Sequence, residues 1–416
     1  MNQKGFAAFI VIAIFFGVIA GISFIYYQSY SAPTNNEATL TPTPTGIENT
    51  YPNIVASFDP LALNADSKYL VPDINSGEII FYDLTQNELS ATISIDSLEL
   101  IGAVISATLS PDNTKLILNV VEYNEDPLAS DTLRTYVLLL NEGDILHVST
   151  FNVDSVSGSL SPRVIWKSNS TQFYTVIANV LEPGIAYSFD TYIQSYSSGK
   201  VEKIATTMGR VNDTSLFNDD LVVSFVYEEV VGGTSISHNQ IHRITSDGNT
   251  SILVDTENRN SFVITNQVDD KVFYAGPSAD GTELGGIYSH NLSSSENELI
   301  SEFTEPYPWS QLLIQASPDG DNIAYSYAVG DEGGTAIYNV AGSRLFTFTI
   351  TSPSDINALF SSDGKSFRAS SVYFVKWIDS ENMVLKITAY YNETEEPDVF
   401  YARASIDGSN MSKLVI

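Results

Sequence analysis

The feature that most constrains the fold is a turn-and-strand unit that recurs at intervals of about fifty residues. Its clearest copy is residues 317–320, Ser-Pro-Asp-Gly, followed by the alternating apolar run at 323–325. Pro318 presets the φ of a tight turn, and Gly320 tolerates the conformations that follow. Alternation of apolar and polar residues after a turn is typical of a half-buried β-strand.

Two landmarks repeat in step along the chain, which argues against coincidence. The first is an Asp or Asn at a turn before an apolar run, at Asp66, Asp112, Asn169, Asp219, Asp269, Asp319 and Asp379. The second is an aromatic or β-branched strand, at residues 79–82, 135–138, 191–193, 240–244, 286–288, 335–338 and 399–401. Five of the turns after these strands carry glycine, namely Gly143, Gly199, Gly248, Gly342 and Gly408.

We assign four strands to each unit: an inner strand before the Asp turn, one after it, the aromatic strand, and an outer strand such as residues 345–348. A lone sheet of this kind leaves both faces wet, and only neighbouring sheets can bury them. The sequence therefore predicts an all-β fold, a seven-bladed β-propeller of four-stranded antiparallel blades over residues 51–416. Residues 53–58 are predicted to form the inner strand of the first blade.

The repeat resembles the TolB-type, WD-like propeller repeat. Residues 317–325 carry the resemblance best, residues 110–113 match in part, and residues 405–414 resemble the end of such a repeat. The resemblance implies a propeller fold and the binding of proteins or peptides, and it implies no reaction.

The charge balance excludes one class of partner. The chain has 19 basic and 50 acidic residues and a net charge of −31, so its surface repels phosphate backbones and nucleic-acid binding is not expected. It has no cysteine, which excludes disulfides and thiolate metal sites.

The N-terminal region predicts a membrane anchor. Residues 6–27 contain no charged side chain and are long enough to cross a bilayer as a helix. Lys4 precedes them and the next basic residue is Lys68, so residues 1–5 are expected in the cytoplasm and the rest outside it. Residues 28–50, rich in Pro and Thr, predict a disordered stalk.

Two alternatives to an uncleaved anchor remain. Lys4, Gly5 and Phe6 before an apolar run resemble the start of a type IV pilin-like protein processed after Gly5, although Ile10 stands where that family has an acidic residue. Cleavage near Ser31 is the other alternative.

Five insertions, mostly acidic, fall between the second and third strands of their units, at residues 124–131, 181–190, 228–233, 329–334 and 392–398. All five should therefore emerge from one face of the propeller. Loops on a rigid scaffold commonly carry function. We therefore predict a binding surface made of Glu125, Asp126, Asp131, Glu182, Tyr187, Phe189, Glu228, Glu229, Asp331, Glu332, Glu395 and Glu396. A tolerated set of long hairpins is the alternative interpretation.

No catalytic or metal-binding motif is found in the sequence. His238 and His242 lie four apart, but Asn239 stands where a zinc-binding helix has Glu, and no Gly-x-Ser-x-Gly elbow is present. No cofactor is expected. Calcium is the alternative, since oxygen ligands abound at residues 126–131 and 319–322.

The sequence thus predicts a single-pass membrane protein whose extracytoplasmic propeller is a non-enzymatic scaffold for a protein, peptide or polysaccharide of the envelope. The alternatives are a glycan-active or lyase-like enzyme with its site at the central channel, and a pilin-like or secretion accessory subunit.

Overall fold

A computed structural model describes residues 53–72, 77–124, 130–153, 162–182, 186–231, 234–256, 263–277, 285–303, 310–329, 332–349, 367–391 and 396–414. The chain divides into two compact units, Met1–Thr45 and Gly46–Ile416, and every described residue belongs to the second. The predicted anchor and stalk, residues 6–27 and 28–50, lie outside the described residues. In the described ranges no helix has the length and apolar character needed to cross a bilayer.

The described residues form 28 strands and one 3-10 helix, Asp96–Leu98, which confirms the all-β prediction. The strands begin with β1 (Asn53–Ser57) and continue in seven groups. Group 1 holds β2 (Tyr69–Leu70), β3 (Glu78–Asp83) and β4 (Glu88–Ser94). Group 2 holds β5 (Ala103–Leu109), β6 (Lys115–Glu122), β7 (Asp131–Leu139) and β8 (Asp144–Val153). Group 3 holds β9 (Arg163–Trp166), β10 (Gln172–Glu182), β11 (Ala186–Ser195) and β12 (Lys200–Met208).

The remaining groups have four described strands each. Group 4 holds β13 (Arg210–Phe217), β14 (Asp220–Val231), β15 (Thr234–Ile244) and β16 (Thr250–Thr256). Group 5 holds β17 (Val263–Val268), β18 (Lys271–Pro277), β19 (Gly285–Asn291) and β20 (Asn297–Glu302). Group 6 holds β21 (Ser310–Ala316), β22 (Asn322–Val329), β23 (Glu332–Asn339) and β24 (Arg344–Phe348). Group 7 holds β25 (Phe367–Trp377), β26 (Asn382–Tyr391), β27 (Asp398–Ser405) and β28 (Met411–Lys413).

Within every group the strands pair antiparallel in chain order. Groups 6 and 7 are additionally joined into one ladder by a parallel pair, Gly333 with Ser371. The aromatic strands predicted from the sequence correspond to β3, β7, β11, β15, β19, β23 and β27. These are the third strands of groups 2 to 7 and the second of the three described strands of group 1. The five turn glycines all have positive φ, which explains why glycine recurs there.

The prediction for residues 53–58 is wrong. Strand β1 pairs antiparallel with β8, at the outer edge of group 2, and the chain continues along that group through hydrogen bonds from the Phe58 and Leu61 amides. Ile54 and Val55 are both exposed, as befits an edge strand and not an inner one. In the described part of the chain, no strand of group 1 precedes β2.

A serine hydroxyl organises three turns in the same way: the Asp turns at Asp112 and Asp319, and the turn at Asp407 between β27 and β28. Ser110 Oγ lies 2.6 Å from Asp112, Ser317 Oγ 2.5 Å from Asp319, and Ser405 Oγ 2.7 Å from Asp407. Each hydroxyl donates to its carboxylate and accepts an amide N–H from the start of the next strand or turn segment, at 3.0 Å in all three. The hydrogen bond from Ser405, with those from Ser409, lowers the pKa of Asp407 to about 2.

The hydrophobic core consists of clusters that bridge consecutive groups. Each cluster fills the space between the facing sides of two sheets, so no group is buried by itself. Representative pairs in order along the series are Phe81 with Leu118, Val137 with Phe173, Tyr174 with Val223, Val222 with Tyr274, Phe273 with Tyr325, and Ile337 with Leu385.

The series closes on itself. A further cluster joins Tyr82 and Leu84 of group 1 to Ile378 and Val384 of group 7 and Leu414 beyond it. The last group therefore packs against the first, and the seven groups form a closed circle. Strand β28 pairs with β27 of its own group, so among the described residues the circle is closed by side chains and not by an exchanged strand.

Candidate functional site

The circle has two distinct ends. We call the end where first strands turn into second strands the turn end, and the end where second strands turn into third strands the hairpin end. Five hydrogen bonds connect the turns of neighbouring groups and place them at a common end: Lys68 to Ile378, Asn113 to Ser67, Asp112 to Ser170, Ser168 to Asp219, and Asn322 to Ser380. Because the strands are antiparallel, the described strand ends that flank the five insertions, in groups 2, 3, 4, 6 and 7, lie together at the hairpin end.

Six of the twelve predicted binding residues lie at or beside the hairpin tips. Glu125, Asp126, Asp331 and Glu395 fall outside the described residues. Glu182, Tyr187, Glu228, Glu229 and Glu332 lie on strands β10, β11, β14 and β23, near the tips. In group 4 the strands that flank the insertion pair regularly, Glu228 with Ser237 and Glu229 with Ile236. Glu396 is exposed just before β27.

Two residues of the predicted surface belong to the interior instead. Phe189 is 0% exposed and packs edge-to-face against Phe225, with ring centroids 5.4 Å apart. Asp131 is 6% exposed, and its carboxylate accepts a hydrogen bond from the Asn124 backbone N–H at 2.9 Å. Strand alternation continues further into these hairpins than the insertion pattern suggested, which turns Phe189 to the core.

The turn end holds a cavity of about 370 Å³ that sequence analysis did not anticipate. It lies where group 1 has no described first strand, between the start of β2 and the ends of β5, β9 and β25. Its walls include Trp166 and Trp377, and its polar groups include Ser67, Lys68 and Lys376. A mostly apolar cavity with a few convergent polar groups is the usual form of a ligand site.

The two lysines hold the first and last groups together across this cavity. Lys68 Nζ donates to the Ile378 carbonyl at 2.5 Å, and Lys376 Nζ donates to the Tyr69 carbonyl at 3.0 Å. Burial, together with the nearby Lys68 charge, lowers the pKa of Lys376. The signal in the sequence was a lysine within an otherwise apolar run, residues 374–378, which we did not single out.

The two tryptophans are fixed by the same device. Trp166 Nε1 donates to the Thr108 carbonyl at 2.9 Å, and Trp377 Nε1 donates to the Gln315 carbonyl at 3.2 Å. In both cases the indole at the end of one first strand reaches the first strand of the preceding group. The indole rings are thereby held rigidly in the cavity wall.

Asn113 ties the turns of groups 1 and 2 with a neutral side chain. Its Nδ2 lies 3.0 Å from the Asn64 carbonyl and 2.8 Å from the Ser67 carbonyl, and the residue is buried with φ of 58°. We expect Asn113→Gly to lower the free energy of unfolding by about 1 to 2 kcal/mol, because glycine keeps the backbone conformation and removes both hydrogen bonds. Urea denaturation measures this loss.

A matched substitution is Ser295→Gly, since Ser295 also has a positive φ of 59° and is exposed. It should change the free energy of unfolding by no more than about 0.5 kcal/mol. Equal losses for the two variants would contradict the role assigned to the Asn113 amide.

The histidines have separate surroundings. His238 stacks on Tyr227 with ring centroids 4.7 Å apart, whereas His242 packs edge-to-face on Phe225 and lies 2.9 Å from Gln240. No grouping of three or more potential metal-ligating side chains occurs in the portion of the chain that is described.

Comparison with known proteins places the fold. No protein-family model matches the chain, and no curated protein matches it. A structure from a study of two prolyl endopeptidases is similar with a TM-score of 0.53 at 11% identity, over 84% of this chain and 50% of that one. The β-propeller domain of the Trilobed protease from Pyrococcus furiosus, described as having an open velcro topology, has a TM-score of 0.49 at 12% identity, over 88% of this chain and 99% of that one. TolB from Acinetobacter baumannii has a TM-score of 0.41 at 14% identity, over 83% of this chain and 78% of that one.

The circle of antiparallel sheets has the architecture of a β-propeller. The chain spans about half the length of the prolyl endopeptidase it matches. At these identities the likeness concerns the fold alone.

Proposed function

We propose that this chain is a membrane-anchored, extracytoplasmic scaffold that binds a protein, a peptide or an envelope polymer at the hairpin end of a seven-bladed propeller. Each of the seven strand groups is one blade in this proposal, with four strands as its full complement. The anchor is residues 6–27, the spacer is residues 28–50, and the N-terminus is cytoplasmic.

One observation carries the proposal: five hairpins from different groups lie at the same end of one rigid circle. They bring together backbone segments far apart in sequence, and the segments carry Glu or Asp in every case. A surface of this kind favours a partner with basic or hydrogen-bond-donating groups. Rigid strands beneath the hairpins limit the entropy lost when a partner binds.

The test is selection of binders from a displayed random-peptide library on residues 46–416, followed by affinity measurements. The variant Glu395→Lys with Glu396→Lys changes the charge of the group 7 hairpin. We expect it to weaken the selected peptides at least tenfold, because close charge pairs across an interface contribute more than about 1.4 kcal/mol. Its thermal stability should stay close to that of the parent protein.

A control of equal charge change is Glu142→Lys with Glu381→Lys. Both residues are exposed, and both lie in turns at the turn end, the second of them in group 7 itself. Retained affinity in this variant supports the hairpin end as the contact surface. Failure of the library to yield binders, or equal loss in both double variants, would contradict the proposal.

A further inference from the structure

Two lysines, Lys68 and Lys376, and no acidic residue line the cavity at the turn end. In a chain with a net charge of −31, two lysines face one small cavity. Within the described residues, no carboxylate forms an ion pair with Lys68 or Lys376. Two like charges at one place repel each other, and an anion between them would remove that cost.

Bracing the circle does not account for this charge. Each lysine uses one N–H to reach a backbone carbonyl of the other group, and an ammonium has three. Asn113 performs the same kind of bracing between groups 1 and 2 with a neutral amide. The charge and the remaining donors of the two lysines are therefore available for another partner.

A buried hydroxyl adds an independent observation. Ser67 is 5% exposed and lines the cavity, and its Oγ has no hydrogen-bond partner. A buried hydroxyl without a partner destabilises the fold, and a hydrogen bond to a ligand oxygen would recover that cost. Ser67 precedes Lys68 directly, and both residues line the cavity.

The walls define the remainder of the ligand. Trp166 and Trp377 are buried and held by hydrogen bonds, and Val164, Ile165 and Leu109 complete an apolar lining. A cavity of about 370 Å³ is at the lower end of the range for small-molecule sites.

We propose that this cavity binds an organic anion, with a carboxylate or phosphate oxyanion held between Lys68 and Lys376 and an apolar body against Trp166 and Trp377. The Ser67 hydroxyl donates to the same oxyanion. The site lies at the end opposite the hairpins, so it is independent of the binding surface proposed above.

The experiment titrates residues 46–416 with benzoate and with phenyl phosphate, following tryptophan fluorescence and thermal stability. Tryptophan fluorescence and thermal stability should both change with at least one of the two anions. The anion that binds more tightly identifies the preferred head group. Benzyl alcohol and benzylamine, of the same shape but neutral or cationic, should bind at least tenfold more weakly. Binding should weaken as NaCl is raised, because the attraction is screened.

Substitution of the lysines decides the assignment. Lys68→Met and Lys376→Met should each weaken the anion at least tenfold, while Lys200→Met, at an exposed lysine paired with Glu202, should not. Should Lys376→Met fail to fold, Lys68→Met decides alone, since Lys68 is exposed. The proposal is overturned if neither anion binds, if benzyl alcohol binds equally well, or if folded Lys68→Met retains full affinity.

Discussion

Leu84→Ala should lower the free energy of unfolding by about 2 to 5 kcal/mol, the cost of removing a fully buried leucine side chain. Leu84 is 1% exposed and lies in the cluster that joins group 1 to group 7. Because no strand is exchanged across this junction in the described residues, side-chain packing there maintains closure of the circle. Urea denaturation with comparison of midpoints measures the loss.

The control comes from the same sheet. Leu89 of β4 is 53% exposed, and Leu89→Ala should change the free energy of unfolding by less than about 0.5 kcal/mol. Similar values for Leu84→Ala and Leu89→Ala would show that the junction between the first and last groups is not packed.

A double-mutant cycle tests closure directly. Leu84→Ala combined with Val384→Ala, across the junction, should deviate from additivity by about 0.5 to 3 kcal/mol because the two residues share one cluster. Leu84→Ala combined with Leu221→Ala, in the cluster between groups 3 and 4, should be additive within about 0.5 kcal/mol. Additivity in both pairs would show that Leu84 and Val384 are not coupled across the junction of groups 1 and 7.

His242 should make the stability of this protein depend on pH between about 4 and 6.5. Burial lowers the pKa of His242 to about 4, with a nearby Asp255 charge acting in the opposite direction. In the unfolded chain the ordinary value is about 6.5. Above pH 6.5 the imidazole is neutral in both states, so the folded protein has no penalty.

As the pH falls below 6.5, the unfolded chain takes up a proton that the folded protein excludes, and stability is lost. The loss reaches roughly 2 kcal/mol at pH 5 and roughly 3 kcal/mol at pH 4. His242 is 8% exposed, so solvent screening reduces this little.

The measurement compares the wild type with His242→Gln by urea denaturation at pH 7.5 and pH 5.0. The difference in free energy of unfolding between the two proteins at pH 7.5 measures the effect of the substitution apart from protonation. Between the two pH values the wild type should lose about 2 kcal/mol more than the variant. Parallel pH dependence in the two proteins would contradict the assignment, since every other titrating group is common to both.

The repeat was predictable because turn chemistry is local. An Asp turn before an apolar run is specified by adjacent residues, and Asp112 and Asp319 both accept the same hydrogen bond from a serine two positions before. The same reasoning placed one further strand of every group, where an aromatic or β-branched run follows at a regular distance.

Long-range pairing was not predictable from the same pattern. The pattern of residues 53–58 predicts a strand. It does not determine the partner of that strand, which is β8, about 90 residues later, and not β2. Phe189 likewise lies in a segment rich in turn and acidic residues, and only the register of β10 with β11 directs it to the core. The cavity at the turn end combines residues from positions 67 to 377, so its lysines had no shared sequence signal.

The place where β1 attaches determines how pulling on the N-terminal side of the chain would act on the propeller. Tension applied ahead of Asn53 is transmitted to the perimeter, through the ladder from Asn53 and His147 to Ser57 and Asp144. It would peel this single edge strand away before reaching the junction of groups 1 and 7. The attachment of β1 is therefore separate from the packing that closes the circle.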